Sequence, residues 1–407
     1  MGEFLLQPAV TTCTGDLARE VLTSEGDKTT VGWPAHFDEL FGKEAMILQK
    51  GEGHRALRAL MQPAFTAEAV GGFVPRISEI AGSYLSSWAG QGGPVKGYDS
   101  LKQMAFDVIL QVVLGKRCAP DEAREMLRLF TIWTQGLFTV LPYDLPFLAY
   151  GKATRARQAL GVYTRAAIKA AREAAEAGEP PGGMLATMLA KDADGNGLSD
   201  QQCEDNIIGL LFAGHDTSTT TLSLILWRLA NNPGAWQALR REQEALAAAE
   251  AAAGRGLDGQ SLKGMVYTEA VIREAMRCNN VVGGMPRLAA RDFELGGHRV
   301  EEGQTLLVPL TYLTKHDPRW GGDDEFRPER WLEGGKDAAQ SWIMPFGAGN
   351  RYCIGAPLAM AEAKVFLALL ARGYDFRVAN AANVAWTTTP PMAVPKCGLP
   401  LTVVARS

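Results

Sequence analysis

The chain has 407 residues, 47% of them hydrophobic and 21% charged, so it can bury a large core and is not disordered as a whole. The formal net charge of −4 argues against nucleic-acid binding, which needs a basic excess to neutralise phosphates. The six cysteines form no CxxC pair and no close cysteine–histidine cluster, which predicts neither a zinc site nor a disulfide framework. A reducing, intracellular compartment is therefore expected, with the cytoplasm as the simplest case.

The N-terminus, MGEFLLQPAVTTCTGDLAREV, contains no basic segment followed by an apolar one. No stretch of the chain approaches the roughly 18 consecutive apolar residues of a membrane span. The chain as written is therefore predicted to be soluble. Membrane association through a segment ahead of residue 1 is left open.

Apolar residues at three- and four-residue spacings predict helices over most of the chain before Arg287. The predicted helices cover 53–62, 77–90, 100–115, 122–138, 153–178, 200–231, 233–252 and 264–278. After Arg287, the short runs FELGGHRV, QTLLVPLTYL and LPLTVVA predict strands, and one last helix is predicted at 353–372. The sequence therefore predicts a single domain, 1–407, that is mainly α with small β-sheets.

The segment EDNIIGLLFAGHDTSTTTLSLILWRLANNP, residues 204–233, is a long and nearly uncharged helical pattern, which predicts a helix buried through the centre of the domain. Gly214, Asp216 and Thr217 interrupt it with residues that cost helix stability and do not serve packing. A buried aspartate beside a threonine suits the delivery of protons to dioxygen bound at a metal opposite the helix. A kinked core helix with a satisfied threonine is the alternative.

The segment PFGAGNRYCIGAPLAMAEAK, residues 345–364, sets Cys353 at the start of a predicted helix. The helix dipole and the unpaired N–H groups there are expected to stabilise a thiolate and to lower the pKa of the thiol. Gly347, Gly349 and Gly355 keep side chains away, which would let a large, flat group approach the backbone. The alternative is a glycine-rich loop around a buried, inert cysteine.

Two motifs in these segments resemble those of the cytochrome P450 family. The pattern FGxGxRxCxG at 346–355 is similar to the haem-binding loop of that family, and AGxDT at 213–217 resembles its oxygen-activation motif. The resemblance runs from about residue 10 to the C-terminus and implies the cytochrome P450 fold, shortened at its N-terminus, where the first helix and a proline-rich entry segment are missing or very short. It also implies haem b, iron protoporphyrin IX, with Cys353 as the metal ligand.

The resemblance further implies which residues hold the cofactor. Phe346 would pack near the sulfur, and the charged members would pair with haem propionates, because arginine forks recognise carboxylates in two-point contacts. The cofactor-binding residues implied in this way are His54, Arg58, Ala213, Gly214, Arg287, Pro345, Phe346, Gly347, Arg351, Cys353, Gly355 and Ala359.

A third resemblance concerns an ion-pair motif. Glu274 and Arg277 lie three residues apart, on one face of a predicted helix. The cytochrome P450 family has the same Glu-x-x-Arg pair, completed by an arginine from a Pro-Glu-Arg segment, and FRPERW supplies Arg330 here. By resemblance these three residues lock the loop that presents the cysteine, so their role is structural.

The resemblance implies a haem monooxygenase that activates O₂ at a cysteine-ligated iron and hydroxylates or epoxidises a lipophilic small molecule. Asp216 and Thr217 would be the catalytic residues. Electrons would come from a ferredoxin or a flavoprotein reductase, and the enzyme is expected to be a monomer that binds no nucleic acid. The local sequence most resembles the retinoic-acid-hydroxylase-like branch of the family. This resemblance suggests an isoprenoid or retinoid substrate.

The substrate pocket is expected to be walled by Phe212, Ala213, the stretch 281–285 and the stretch 391–394, which are mostly apolar. A basic patch near Arg351, Lys364 and Arg330 would be the docking surface for an acidic ferredoxin, unless it is an ordinary solvated face.

Two other functions stay open. A haem-thiolate enzyme that uses peroxide or rearranges hydroperoxides needs no outside electrons, but such relatives usually lack the acid–alcohol pair formed here by Asp216 and Thr217. A haem-binding sensor without turnover needs the cysteine and has no use for that pair.

Overall fold

The computed structural model describes residues 2–4, 7–179, 182–191, 195–316, 325–333, 344–389 and 392–406. The helices are Gly15–Thr23, Phe37–Phe41, Gly51–Met61, Ala67–Gly90, Gly97–Leu114, Pro120–Leu137, Ala149–Glu176, Gly183–Leu189, Asp200–Asn231, Pro233–Ala252, Ser261–Gly264, Val266–Cys278, Leu310–His316, Arg330–Glu333 and Ala356–Gly373. We call Asp200–Asn231 the central helix and Ala356–Gly373 the cysteine helix.

The strands are short and form small sheets. They are β1 (Gly2–Phe4), β2 (Gln7–Thr11), β3 (Thr29–Thr30), β4 (Val95–Lys96), β5 (Met285–Ala289), β6 (Phe293–Leu295), β7 (His298–Val300), β8 (Thr305–Val308), β9 (Tyr374–Val378), β10 (Trp386–Thr389), β11 (Met392–Pro395) and β12 (Pro400–Ala405). A five-stranded sheet has the order β1-β2-β8-β5-β3, in which β2 and β8 are parallel and the other neighbours antiparallel. The order β4-β12-β9 forms a three-stranded sheet, and β6-β7 and β10-β11 form two-stranded ones.

The central helix begins at a capping box in which the Ser199 hydroxyl accepts from the Gln202 N–H and the Gln202 side chain accepts from the Ser199 N–H. Its residues 203–208 and 218–226 are buried, as the nearly uncharged sequence predicts. The helices Gly97–Leu114 and Ala149–Glu176 pack against it, so the middle of the chain forms the core of the molecule. Across the described residues, no helix is both long and apolar enough to span a membrane.

The prediction of helix 77–90 is wrong at its start, because the helix begins at Ala67 and continues through Pro75. The Thr66 side chain caps its N-terminus, and buried apolar side chains of the first turns pack into the core. Tertiary packing thus outweighs the helix-breaking tendency of proline and of the glycines beside it.

Two further boundaries differ from prediction. The run QTLLVPLTYL is a strand only to Val308, and a helix follows from Leu310. Pro309 stands between them, and its missing N–H cannot continue the ladder. The cysteine helix begins at Ala356 rather than at 353, so Cys353 precedes it.

The predicted ion-pair motif is a buried network. Arg277 donates to both carboxylate oxygens of Glu274 at 2.9 Å, and both side chains are fully buried. Arg330 Nε donates to Glu274 Oε1 and Trp331 Nε1 donates to Oε2, each at 3.0 Å. The contact predicted among Glu274, Arg277 and Arg330 is therefore confirmed. It joins the helix Val266–Cys278 to the segment 325–333.

Because Glu274 compensates two buried guanidinium groups, we expect Glu274→Gln to destabilise the protein by about 3–5 kcal/mol, the usual cost of breaking a buried pair. Denaturant unfolding of the haem-loaded protein measures this difference. Glu125→Gln is the matched control, because Glu125 and Arg128 form the same i,i+3 pair on an exposed helix face. Equal stability of the two variants would contradict a locking role for Glu274.

Candidate functional site

The central helix meets open space at the middle of its length. Ala213 is exposed and Phe212, Gly214, Asp216 and Thr217 are partly exposed, although residues 203–208 and 218–226 on either side are buried. These five residues therefore border open space, which we call the cavity, whereas His215 between them is buried. The Phe212 ring contacts the rings of Phe41 and Trp133 at 5.2 and 5.8 Å, so one end of this stretch is aromatic.

A second wall is formed by the cysteine loop, 345–355. The Cys353 N–H donates to the Phe346 carbonyl at 2.8 Å, which closes the loop on itself. The side chains of Phe346 and Cys353 are partly buried, and Pro345 lies in the turn that begins the loop. Ala359 lies one helical turn after Gly355, to whose carbonyl its N–H donates at 2.9 Å.

The loop glycines have different reasons to be glycine. Gly347 and Gly349 have positive φ angles of 75° and 67°, which other residues rarely adopt. A Cβ on Gly349 would lie 2.6 Å from the Leu22 carbonyl oxygen, so this residue faces the helix Gly15–Thr23. A Cβ on Gly355 would instead lie 3.9 Å from the Cys353 sulfur. Of these three, Gly355 is the glycine that borders the sulfur, and the expectation that Gly349 clears space there is wrong.

Gly214 also has a packing explanation. A Cβ at this position would lie 2.7 Å from the Cδ1 atom of Ile109, on the helix Gly97–Leu114. The glycine thus permits close approach of two helices, and its role toward a cofactor stays a prediction.

Burial raises the pKa of the Cys353 thiol above its ordinary value. The N–H groups of Gly355 and Ala356 and the charge of Arg58 act in the opposite direction but do not outweigh burial. The expected lowering of this pKa is therefore wrong in sign, since Cys353 lies before the cysteine helix and in a desolvated place. A sulfur that is desolvated yet receives N–H donors fits the thiolate ligand of a metal, whose positive charge would favour ionisation.

Cationic side chains gather near the cysteine. Arg58 lies close enough to both Cys353 and Arg351 to be influenced by their charges, and burial lowers its pKa. The pKa of His54 is lowered to about 4 by burial and by the nearby charges of Arg351 and Arg58. The ring is therefore neutral at pH 7. The guanidinium groups of Arg58 and Arg351 repel each other, and a nearby anion would reduce this repulsion.

Arg287 is the strongest sign that an anion belongs here. Its side chain is buried, and its Nε has no hydrogen-bond partner among the described residues. Its NH1 donates to the Pro286 carbonyl at 2.8 Å, and burial lowers its pKa. A buried, half-satisfied guanidinium costs free energy unless a further acceptor reaches it. The carboxylates of a haem would supply such acceptors, so the residues present fit that cofactor.

Arg351 already has a protein partner. Its Nε donates to Glu25 Oε1 at 2.7 Å, with both side chains almost fully buried, and its NH2 donates to the Gln49 carbonyl. No sequence pattern predicted Glu25, which lies 326 residues away along the chain. The pairing of Arg351 with a propionate stays a prediction, and Glu25 competes for the same guanidinium.

The proposed basic patch near Arg351, Lys364 and Arg330 is not a surface feature. The exposed fractions of these side chains are 9%, 10% and 9%. Each is bound to a glutamate, and Lys364 Nζ contacts Glu269 Oε2 at 2.7 Å. The expectation that these three residues receive a ferredoxin is therefore wrong.

Thr217 and Asp216 differ in where their polar atoms lie. The Thr217 hydroxyl donates to the Ala213 carbonyl at 2.5 Å, one turn earlier on the cavity side of the central helix. Asp216 Oδ1 lies 3.4 Å from Lys102 Nζ and 3.4 Å from His215 Nδ1. Lys102 and His215 were missed by sequence reasoning. His215 occupies the unspecified position within the AGxDT motif, but Lys102 is brought to the motif only by tertiary structure.

The remaining pocket walls are partly described. Val282 forms an isolated antiparallel bridge with Met392, and the Thr220 hydroxyl donates to the Ala393 carbonyl at 3.3 Å. The stretches 281–285 and 392–394 are thus joined to each other and to the central helix. Pro391, in the last predicted wall, lies outside the described residues.

Comparisons with known proteins cover nearly all of the chain. The model of the Cytochrome P450 family matches residues 3–396. Cytochrome P450 120 of the cyanobacterium Synechocystis sp. is 30% identical over 379 residues, covering 92% of this chain and 83% of its own. Abscisic acid 8'-hydroxylase 2 of Arabidopsis thaliana is 31% identical over 398 residues, covering 97% of this chain and 80% of its own.

Among solved structures, retinoic acid-bound cyanobacterial CYP120A1 superposes with a TM-score of 0.87 at 28% identity, over 97% of this chain and 89% of that one. The predicted fold class, mainly α with small sheets, is confirmed. The family match extends across the cavity, the cysteine loop and the buried ion-pair network alike. The chain belongs to the cytochrome P450 family of haem-thiolate monooxygenases.

Proposed function

We propose that this cytochrome P450 hydroxylates or epoxidises an isoprenoid-type molecule such as a retinoid. The observation that carries the proposal is the exposure of residues 212–214, 216 and 217 between the buried stretches 203–208 and 218–226 of the central helix, which sets an acid and an alcohol beside a cavity with an aromatic end. Abscisic acid, in the name of one relative, and retinoic acid, bound in the structure of another, are both lipophilic isoprenoid acids. Their shared chemistry supports the choice of substrate class.

We propose haem b as the cofactor, with Cys353 as the iron ligand and His54, Arg58 and Arg287 around its propionates. Haem held in this way supplies the binding and activation of O₂. The buried and incompletely satisfied guanidinium of Arg287 supports the assignment, because a propionate oxygen would complete its hydrogen bonds. Gly355 supports it too, since a side chain at this position would contact the sulfur, with its Cβ 3.9 Å away.

Asp216 and Thr217 are proposed to manage protons on the cavity side of the central helix. The Thr217 hydroxyl donates to the Ala213 carbonyl, so its oxygen keeps a lone pair for a proton or a hydrogen-bond donor in the cavity. Asp216 is the nearest acid along the helix. Electrons are proposed to come from a ferredoxin or flavoprotein reductase, and the enzyme to act as a monomer without nucleic acid. A cytoplasmic location stays a prediction.

Replacing Thr217 by alanine tests the monooxygenase assignment. We expect the yield of product per electron consumed to fall about ten-fold, with haem retained, because a positioned proton donor or acceptor contributes about a hundred-fold or more and water replaces part of it. The measurement compares reductant consumption with product formation. Thr219→Ala is the control, because its buried hydroxyl makes the same bond to a carbonyl one turn back, that of His215, at 2.9 Å. Unchanged coupling in the Thr217 variant would contradict the assignment.

Replacing Arg287 by methionine separates its cofactor role from a structural one. We expect haem to leave about ten-fold faster, since a hydrogen bond to a charged group contributes about 1.5–3 kcal/mol. The apoprotein should be no less stable than before, because the variant removes a desolvated cation. Haem transfer to apomyoglobin and thermal unfolding of the apoprotein measure the two effects. Arg299→Met, at a side chain 73% exposed, is the control. Loss of apoprotein stability without faster haem loss would make Arg287 structural.

A further inference from the structure

His215 is held rigidly in the middle of the central helix. Its side chain is fully buried, and its ring stands nearly perpendicular to the rings of Phe106 and Phe130, at centroid distances of 5.2 and 5.3 Å. Its Nε2 lies 3.0 Å from the Lys102 carbonyl oxygen. A carbonyl oxygen only accepts hydrogen bonds, so Nε2 must carry the hydrogen. The geometry therefore fixes the tautomer of a neutral ring, with the lone pair on Nδ1.

That lone pair faces a carboxylate. Nδ1 lies 3.4 Å from Asp216 Oδ1, and within the described part of the chain neither atom has a hydrogen-bond partner. If Asp216 were ionised and His215 neutral, two buried acceptors would face each other. A proton between them satisfies both atoms, either as a carboxylic acid donating to Nδ1 or as an imidazolium donating to the carboxylate, whereas the Lys102 ammonium, 3.4 Å from Oδ1, compensates only the carboxylate.

The opposite tautomer does not resolve the conflict. A hydrogen on Nδ1 alone would satisfy Asp216 but would leave the Nε2 lone pair against the Lys102 carbonyl oxygen at 3.0 Å. The other charged group at the site is the Lys102 ammonium, 3.4 Å from the same Oδ1 and partly exposed. Burial raises the pKa of the phenol of Tyr98, on the same helix as Lys102, to about 12, and the nearby charge of Asp216 acts in the same direction. Lys102 favours ionised Asp216 and thus competes with His215.

We propose that His215 and Asp216 hold one proton in common between Nδ1 and Oδ1, and that His215 is thereby the positioning residue that keeps Asp216 loaded with a proton. This inference rests on the proposed role of Asp216 as the acid beside the cavity. The pair, rather than the carboxyl group alone, is the acid. When Oδ1 gives its proton away, an anion faces a lone pair, and this repulsion favours the return of a proton from the Lys102 side.

Burial disfavours a charge on His215. It lowers the pKa of the ring to about 4, even though the charge of Asp216 acts to raise it. A proton held between Nδ1 and Oδ1 leaves the pair without net charge, which suits a buried position.

Nitrogen NMR of the haem-loaded enzyme tests the shared proton directly. The ferrous carbon monoxide complex is diamagnetic, and the chain has five histidines, so ¹⁵N-histidine labelling with His215→Phe for assignment is practical. We expect Nε2 to carry a hydrogen and Nδ1 to resonate as protonated or partly protonated, and Asp216→Asn to return Nδ1 toward the position of an ordinary hydrogen-bonded lone pair. An Nδ1 with a bare lone pair insensitive to Asp216→Asn, or a bare Nε2, would overturn the proposal.

A pH profile tests the consequence for turnover. Without His215, Lys102 acts alone on Asp216, so the acid loses its proton at lower pH. We expect His215→Phe to move the alkaline limb of kcat to lower pH and to reduce kcat at pH 8 by about ten-fold, with KM unchanged. His215→Gln, whose amide can still donate to the Lys102 carbonyl, should show the same shift. Adding His215→Phe to Asp216→Asn should change nothing further.

His36→Phe is the matched control. Its Nε2 lies 2.9 Å from the Leu137 carbonyl, and its ring stands edge-on to Phe37 and Tyr150, as that of His215 does to its neighbours. Loss of a ring nitrogen that bonds to a backbone carbonyl would affect both variants. An unshifted pH profile in both His215 variants would overturn the proposal. Failure of the proposed function would instead appear as unchanged coupling in Thr217→Ala, and the NMR result would stand independently of it.

Discussion

Burying a 32-residue helix through the middle of a molecule requires every polar group on it to find a partner or an opening. The central helix satisfies this constraint with hydroxyls that donate one turn back and with a capping box at its start. The helix departs from this constraint at residues 212–217, where it meets a cavity. There Asp216 Oδ1 and His215 Nδ1 face each other, and neither has a hydrogen-bond partner among the described residues. The part of the helix that is not fully buried is thus also the part that carries the proposed catalytic residues.

The opposite wall of the cavity also contains buried polar groups that lack full compensation. The cysteine loop places a desolvated sulfur near Arg58, and the buried Arg287 lacks an acceptor at Nε among the residues described. Both arrangements are unfavourable without a ligand, since a buried thiolate and a buried cation each cost free energy. A planar cofactor with a cationic metal and peripheral carboxylates would meet both needs. Compensation of these polar groups would therefore contribute to the free energy of haem binding.

Much of the fold could be predicted from local sequence patterns. The central helix was predicted at 200–231 and observed at Asp200–Asn231, because its apolar run is long and bounded by Ser199 and Pro233. The contact of Glu274 with Arg277 follows from helical spacing alone. The start of the helix Ala67–Gly90 could not be predicted this way, since burial of its first turns depends on partners elsewhere in the chain.

The site was less predictable than the fold for the same reason. Arg351 and Glu25 meet across 326 residues, and His215 reaches the Lys102 carbonyl across 113. A helix N-terminus alone predicts a lowered pKa for Cys353, whereas the desolvation that the tertiary structure imposes raises it. The local sequence identifies the reactive side chains, whereas the tertiary structure determines the protonation state of each one.

The most direct test of the central claim is the absorption spectrum of the reduced, haem-loaded protein with carbon monoxide. If Cys353 is the iron ligand, the spectrum contains the band characteristic of a thiolate-ligated haem, and Cys353→Ser loses that band. A spectrum without this band in haem-loaded protein with Cys353 intact would contradict the account.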